Sequence, residues 1–91
     1  MYYLYIIECE GGSLYTGITT DIDRRFSEHI SGKGAGYTRG RKPKRIVYAE
    51  ECGERGEALR RECEIKKLKR PEKIKLVKSG SVIIDGWKRK K

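Results

Sequence analysis

An α+β fold is predicted for this chain of 91 residues by the order of strand-like and helix-like patterns along it. Residues 2–8 and 14–18 are rich in the aromatic and branched side chains that strands favour, and residues 45–51 form a third such run. Helical periodicity follows the second run and again the third. The length suffices for one domain with a thin core, since a chain of this size buries only about two-thirds of its unfolded surface.

The first two strands are predicted to pair as a hairpin. Gly11 and Gly12 lie between them and supply the positive φ angles that a tight turn requires. Because side chains alternate along a strand, the odd-numbered residues of the first strand, Tyr5 among them, share one face and the even-numbered residues share the other. Close pairing would place Tyr5 and Tyr15 on neighbouring strands of one sheet.

The first helix is predicted to begin near Thr20 or Asp21, since either side chain can cap free amide groups. Its predicted buried face recurs at every fourth position, at Ile22, Phe26 and Ile30. Arg25 and His29 are also four residues apart, and an advance of about 100° per residue places both at the border of that face. A border position is supported by packing and stays open to substrate, as a catalytic pair requires.

The charge of the chain is strongly positive, at +9. Such a surface attracts polyanions, with nucleic acid the first candidate, although surplus lysine can also serve solubility alone. Residues 31–45 combine four glycines with six basic residues and no acidic residue, which predicts a loop. We interpret it as a cationic segment for phosphate groups, with a solvated loop as the alternative. Its candidate nucleic-acid-binding residues are Lys33, Tyr37, Arg39, Arg41, Lys42 and Lys44.

The second helix, predicted over residues 55–70, carries an acidic side chain on its apolar face. That face consists of Ala58, Leu59, Cys63 and Ile65. Glu62 falls inside it, about 40° from Ala58, whereas Glu64 falls on the opposite side. A carboxylate facing the core is costly unless it is paired, protonated or bound to a cation. A structural salt bridge and a metal ligand are therefore the two interpretations of Glu62.

The end of the chain is predicted to be an appendage to one domain. Pro71 is expected to end the second helix, and residues 72–78 to form a short third helix. Residues 1–78 would then make up the domain, and residues 79–91 a basic tail or an added edge strand.

The cysteines and the hydropathy pattern indicate a cytoplasmic protein. The three cysteines lack the spacing of a metal site or a disulfide framework, so they are interpreted as reduced thiols. No apolar run approaches the length of a membrane span, and no membrane partner is expected.

An ordered set of residues suited to phosphate chemistry runs from the first strand to the second helix: Tyr5, Tyr15, Gly17, Arg25, His29 and Glu62. With the tripeptides Tyr3-Leu4-Tyr5 and Tyr15-Thr16-Gly17, this set resembles the GIY-YIG nuclease superfamily, and the chain is similar to its small single-domain branch. Tyr3 stands where the first motif of the family has a glycine that serves as backbone scaffolding. The resemblance implies a GIY-YIG-like fold, a three-stranded antiparallel sheet flanked by about three helices.

The resemblance also implies an activity, that of a metal-dependent endonuclease hydrolysing phosphodiester bonds in DNA, with RNA left open. Tyr5 would be the general base and Tyr15 its positioning partner, although the reverse assignment stays open. Arg25 would stabilise the phosphate, and Glu62 would hold one Mg²⁺ or Mn²⁺. His29 would hydrogen bond a tyrosine, relay its proton or contact phosphate.

Two further expectations concern Gly17 and the partners of the chain. Gly17 is interpreted as structural, because its missing Cβ permits close approach of a helix or a phosphate. No second domain fits the length, so substrate choice in a process such as DNA repair would come from the domain surface, a homodimer or a protein partner. The alternatives are a non-catalytic nucleic-acid-binding module on the same scaffold and a basic structural protein associated with RNA.

Overall fold

The computed structural model of the protein describes residues 1–31 and 42–79. Its elements are, in chain order, β1 (Tyr2–Cys9), β2 (Leu14–Thr19), α1 (Ile22–Ile30), β3 (Pro43–Gly53), α2 (Arg55–Lys66) and α3 (Arg70–Ser79), with a short 3-10 turn at Glu10–Gly12. The predicted α+β architecture is confirmed, with a three-stranded antiparallel sheet and three helices among the described residues.

The first strand is the centre of the sheet. The strand order is β2-β1-β3, and β1 pairs antiparallel with both neighbours. The turn between β1 and β2 contains Gly11 at φ 83° and Gly12 at φ 86°, so the predicted use of both glycines is confirmed. In this register Tyr5 pairs with Gly17, and Ile7 pairs with Tyr15.

The two faces of the sheet bury two separate clusters, as the alternation in β1 predicts. The odd-numbered face packs against α1, with Tyr5, Ile7 and Cys9 beside Ile22. The even-numbered face packs against α2 and α3. The buried residues of this second cluster are Leu4, Ile6, Val47, Tyr48 and Ile65. The sheet therefore has α1 on one face and α2 and α3 on the other.

The first helix begins at Asp21 as predicted, since the Asp21 carboxylate accepts a hydrogen bond from the Arg24 amide at 3.1 Å. Its predicted buried face is wrong at the last position, because Ile30 is 60% exposed and His29 is 1% exposed. At about 100° per residue, His29 lies about 20° from Ile22 around the helix, whereas Ile30 lies about 80° away. A stripe drawn at every fourth residue thus drifts off the core, and His29 is buried rather than at the border.

The second helix is shorter than predicted. It ends at Lys66 rather than near residue 70, and Pro71 lies in the first turn of α3 instead of ending α2. A proline is tolerated there because the amide that it lacks would have no partner within the helix. Leu59 is 39% exposed and Cys63 is exposed, so their predicted burial is wrong.

The third strand is longer than predicted and shortens the cationic loop. It spans Pro43–Gly53 rather than residues 45–51, so residues 43–45 are strand and not loop. The added strand or basic tail predicted for residues 79–91 lies outside the described residues, apart from Ser79, which is the last residue of α3.

Candidate active site

Three aromatic rings meet on the α1 side of the sheet. The hydroxyl of Tyr5, from β1, lies 2.9 Å from Nε2 of His29, from α1. The ring of Tyr15, from β2, lies with its centroid 6.4 Å from that of Tyr5 and 5.2 Å from that of His29. The hairpin register and the burial of one face of α1 together bring these side chains from three elements to one place.

Gly17 provides the space for the Tyr5 ring. A Cβ atom at Gly17 would lie 2.6 Å from the Tyr5 hydroxyl oxygen and 3.2 Å from Cε2 of Tyr15. The structure thus places a phenol against Gly17, where a helix or a phosphate was predicted to approach. The sequence could not identify the neighbour, because it lies on the paired strand.

Arg25 is held from the solvent side by a residue that the sequence reasoning missed. Its guanidinium donates a hydrogen bond to Oε1 of Glu28 at 2.8 Å, while the second oxygen of Glu28 accepts from Arg24 at 3.2 Å. The hydrogen bond to Glu28 raises the pKa of Arg25. Spacings of three and four residues in a helix place such partners side by side, so the pair could have been found from the sequence.

The tyrosine and the histidine are both uncharged at neutral pH. Burial, followed by the charge of Tyr15, raises the pKa of Tyr5 to about 12, although the nearby Arg25 guanidinium opposes the shift by hydrogen bonding and charge. Burial, followed by the charge of Arg25, lowers the pKa of His29. The hydroxyl therefore retains its proton, and the imidazole beside it can accept one.

Glu62 lies within electrostatic reach of Tyr5 and is paired with a lysine. Its Oε2 lies 3.3 Å from Nζ of Lys66, one turn further along α2, and its side chain is 20% exposed. Among the causes that raise the pKa of Tyr5, after burial, is the negative charge of Glu62, so the two groups lie within electrostatic reach. Glu64 lies on the solvent side with a side chain 59% exposed, as predicted.

Glu62 is positioned by a network on the opposite face that the sequence did not indicate. The hydroxyl of Tyr48 donates to Oε1 of Glu50 at 2.6 Å, and Nε of Arg61 donates to Oε2 of Glu50 at 3.0 Å. This network ties α2 to β3 at the residue before Glu62. Burial, followed by hydrogen bonding to Glu50, raises the pKa of Tyr48 to about 12.

The candidate phosphate-binding residues fall in two groups. Lys33, Tyr37, Arg39 and Arg41 lie outside the described residues. Lys42 and Lys44 are exposed at the start of β3, where Pro43 pairs with Cys9. Cys9 lies four residue positions along β1 from Tyr5, a distance of about 13 Å.

A family model described as the GIY-YIG catalytic domain matches residues 1–75. The chain belongs to the GIY-YIG family. This family consists of nucleases that are generally dependent on divalent metal ions, so the chain is a nuclease-family domain and a nucleic-acid-binding one.

Relatives of this GIY-YIG domain match it over most of its length. A UPF0213 protein of Cupriavidus necator is 56% identical over 72 residues, covering 79% of this chain and 78% of the relative. A UPF0213 protein of Staphylococcus saprophyticus is 47% identical over 79 residues, covering 87% and 96%. The solution NMR structure of a UPF0213 protein from Bacillus halodurans superposes with a TM-score of 0.56 at 52% identity, covering 87% of this chain and 85% of that one.

The donor set of this GIY-YIG domain is compatible with a divalent-metal site that substrate would complete. No group of three or more histidine, cysteine, aspartate or glutamate side chains that could hold a metal ion occurs among residues 1–31 and 42–79. Mg²⁺ keeps several waters and is commonly bound by one or two carboxylates together with substrate phosphates. Glu62, with a side chain 20% exposed and within electrostatic reach of Tyr5, suits this arrangement. No helix in the described part of the chain is long and apolar enough to cross a membrane.

Replacing Gly17 with alanine is expected to displace the Tyr5 ring and to destabilise the domain by about 1–3 kcal/mol, since the added Cβ would overlap the phenol. Urea unfolding measures the loss. Gly56→Ala in α2 is the matched control, because a Cβ there meets no heavy atom of the described residues within 4 Å. A Gly17→Ala variant as stable as Gly56→Ala would contradict the close approach.

Proposed function

We propose that this GIY-YIG domain is a divalent-metal-dependent endonuclease that hydrolyses phosphodiester bonds in DNA. Family membership supports the reaction class. The observation that carries the proposal is the Tyr5 hydroxyl held 2.9 Å from the neutral His29 imidazole, beside Arg25 and within electrostatic reach of Glu62. Cleavage needs an activated water, a donor for the charge on phosphate and help for the leaving oxygen, and these groups can supply all three.

Tyr5 and His29 act together as the general base. A phenol with a pKa of about 12 is rarely ionised at neutral pH, so Tyr5 alone would be a poor base. With the ring proton of His29 on Nδ1, the Tyr5 hydroxyl donates to Nε2. Tyr5 then accepts the proton of the attacking water as its own proton passes to Nε2, and no separate phenolate forms. Tyr15, packed against both rings, holds their relative orientation.

Arg25 binds a non-bridging oxygen of the scissile phosphate. Its guanidinium is permanently charged and has five N–H donors, of which one is used by Glu28. The guanidinium also interacts with Tyr5 by hydrogen bonding and charge, and its remaining donors are proposed to bind a phosphate. The hydrogen bond to Glu28 restricts the orientation of the Arg25 guanidinium, so less conformational entropy is lost when the phosphate binds.

Glu62 holds the divalent ion, Mg²⁺ or Mn²⁺. When bound, the ion polarises the phosphate and stabilises the leaving oxygen. The carboxylate belongs to a helix anchored to β3 through Arg61 and Glu50, so its position is set by packing. Gly17 leaves the space that Tyr5 occupies, and its role is structural.

DNA is the substrate that we propose, with its backbone held by the cationic segment. The net charge of +9 favours a polyanion, and the proposed contacts are with sugar and phosphate groups rather than with bases. The residues proposed for these contacts are Lys33, Tyr37, Arg39, Arg41, Lys42 and Lys44. Specificity would then arise from the domain surface, a homodimer or a protein partner.

A second candidate function is a nucleic-acid-binding module that does not cut. The pairing of Glu62 with Lys66 favours it, because a carboxylate already neutralised by an ammonium needs no metal ion. A module of this kind would bind nucleic acid with an affinity that falls as the salt concentration rises and that chelators do not change.

The deciding experiment is a cleavage panel with plasmid, branched and single-stranded DNA and with RNA, in Mn²⁺, Mg²⁺ or a chelator. We expect nicking of DNA in the presence of metal and none in chelator. Binding to all substrates without metal-stimulated cutting of any would reject the nuclease and favour the module. Cleavage confined to RNA would support metal-dependent phosphodiester hydrolysis and contradict DNA as the substrate.

A further inference from the structure

We propose that Lys66 is a phosphate-binding residue of the site, which Glu62 holds until a metal ion and a nucleic acid replace the pair. Lys66 lies one turn after Glu62 on α2, and its Nζ is 3.3 Å from Oε2 of Glu62. The Lys66 side chain is 52% exposed and that of Glu62 is 20% exposed, so the ammonium is the more accessible member of a pair whose carboxylate lies within electrostatic reach of Tyr5. This inference rests on the proposed metal-dependent function.

The ammonium and a metal ion would compete for the same carboxylate. A divalent ion on Glu62 would come within a few ångströms of Nζ of Lys66, where like charges repel by about 1 kcal/mol or more per unit charge even in water. Lysine has a flexible four-carbon stem, and half of this side chain is open to solvent. Lys66 can therefore leave Glu62 without disturbing the helix.

A released ammonium beside a bound metal ion has an obvious anionic partner in the substrate. The phosphate that the metal binds brings its neighbouring phosphates close to α2, and a charge-assisted hydrogen bond from Lys66 to one of them replaces the lost bond to Glu62. Metal binding then frees Lys66 for phosphate, and phosphate binding frees Glu62 for metal. By thermodynamic reciprocity, each ligand increases the affinity for the other by the same factor.

Lys67 provides a matched comparison. Lys67 follows Lys66 in the sequence and is exposed. Its replacement by glutamine removes one positive charge, as Lys66→Gln does. Lys67 lies about 100° further around the helix axis, away from the line that joins Glu62 to Lys66. A general effect of net charge would be the same in both variants.

The test measures Mn²⁺ binding to the free protein by the electron paramagnetic resonance signal of unbound Mn²⁺, in wild type, Lys66→Gln, Lys67→Gln and Glu62→Gln. We expect Lys66→Gln to bind Mn²⁺ roughly fivefold more tightly, because the competing charge is gone. Lys67→Gln should stay within about twofold of wild type, since its charge is farther away and screened. Glu62→Gln should bind more weakly than wild type.

Cleavage of plasmid DNA at saturating Mn²⁺ is the second measurement. We expect Lys66→Gln to cut roughly tenfold more slowly despite its tighter metal binding, because one charge-assisted contact to phosphate is lost. Equal behaviour of Lys66→Gln and Lys67→Gln in both measurements, with Mn²⁺ binding still dependent on Glu62, would overturn the role of Lys66 and leave the proposed function standing. Mn²⁺ binding that is unchanged in Glu62→Gln would overturn both.

Discussion

Glu62→Gln is expected to lower the rate of metal-dependent DNA cleavage by about 10³-fold or more while DNA affinity in chelator stays within a few-fold of wild type. The amide keeps the shape of the carboxylate but loses the charge that the metal requires, and a factor of 10³ corresponds to about 4 kcal/mol of lost stabilisation in the transition state. Lys66 would lose its partner at the same time, which slightly favours anion binding. Single-turnover cleavage and a filter-binding titration measure the two effects separately.

Glu64→Gln is the matched control for this prediction. Glu64 lies on the same helix and carries the same charge, but it pairs with Arg61 at 3.3 Å on the solvent side. We expect its cleavage rate to stay within about twofold of wild type, because exposed pairs of this kind contribute little. A Glu62→Gln variant that cuts as fast as Glu64→Gln would reject Glu62 as the metal ligand.

Tyr5→Phe is expected to reduce cleavage by about 10²–10⁴-fold, the range that general-base catalysis commonly contributes. Phenylalanine retains the buried ring and removes only the hydroxyl that lies 2.9 Å from His29 Nε2. Tyr48→Phe is the control, since Tyr48 is also buried, its pKa is also raised to about 12, and it lies on the opposite face. It should lose about 1 kcal/mol of stability with its hydrogen bond to Glu50 and cut far faster than Tyr5→Phe, because Arg61 still donates to Glu50 and anchors α2.

The pH dependence of the wild-type rate distinguishes the shared base from a lone tyrosine. Burial lowers the pKa of His29 below its ordinary value near 6.5, so the acceptor is already neutral at pH 7. The rate should therefore fall as pH drops through that lowered pKa and stay level from pH 7 to 9. A lone phenol with a pKa of about 12 would instead give a tenfold rise per pH unit across that range. Such a rise would exclude His29 as the acceptor.

The sheet side of the site follows closely from local sequence signals. The glycine turn and the alternation of β1 predict that Tyr5 and Tyr15 lie on neighbouring strands of one sheet, and the observed pairing of β1 with β2 agrees. The N-cap at Asp21 was equally local. These features depend on residues close together in the chain. The contact of Tyr5 with Gly17 depends on the pairing register, which only the structure gives.

The helix side of the site was harder to predict. Ile30, predicted to be buried, is exposed, and His29, predicted at the border, is buried. The two lie about 100° apart around the axis, so the rotation of a short helix decides which of them faces the core. The exposure of Leu59 and Cys63 has the same origin. Periodicity in nine to twelve residues locates an apolar stripe only to within about one residue's width.

By itself the sequence determined which residue types are available, the order of the elements, the faces of β1 and the strong positive charge. Only the tertiary structure decided that the Tyr5 hydroxyl meets His29, that Glu62 lies within electrostatic reach of Tyr5, and that Arg61 and Glu50 anchor the helix that carries Glu62. The physical reason is that contacts between elements depend on helix rotation and side-chain rotamers, which are set by packing against the rest of the core rather than by local periodicity.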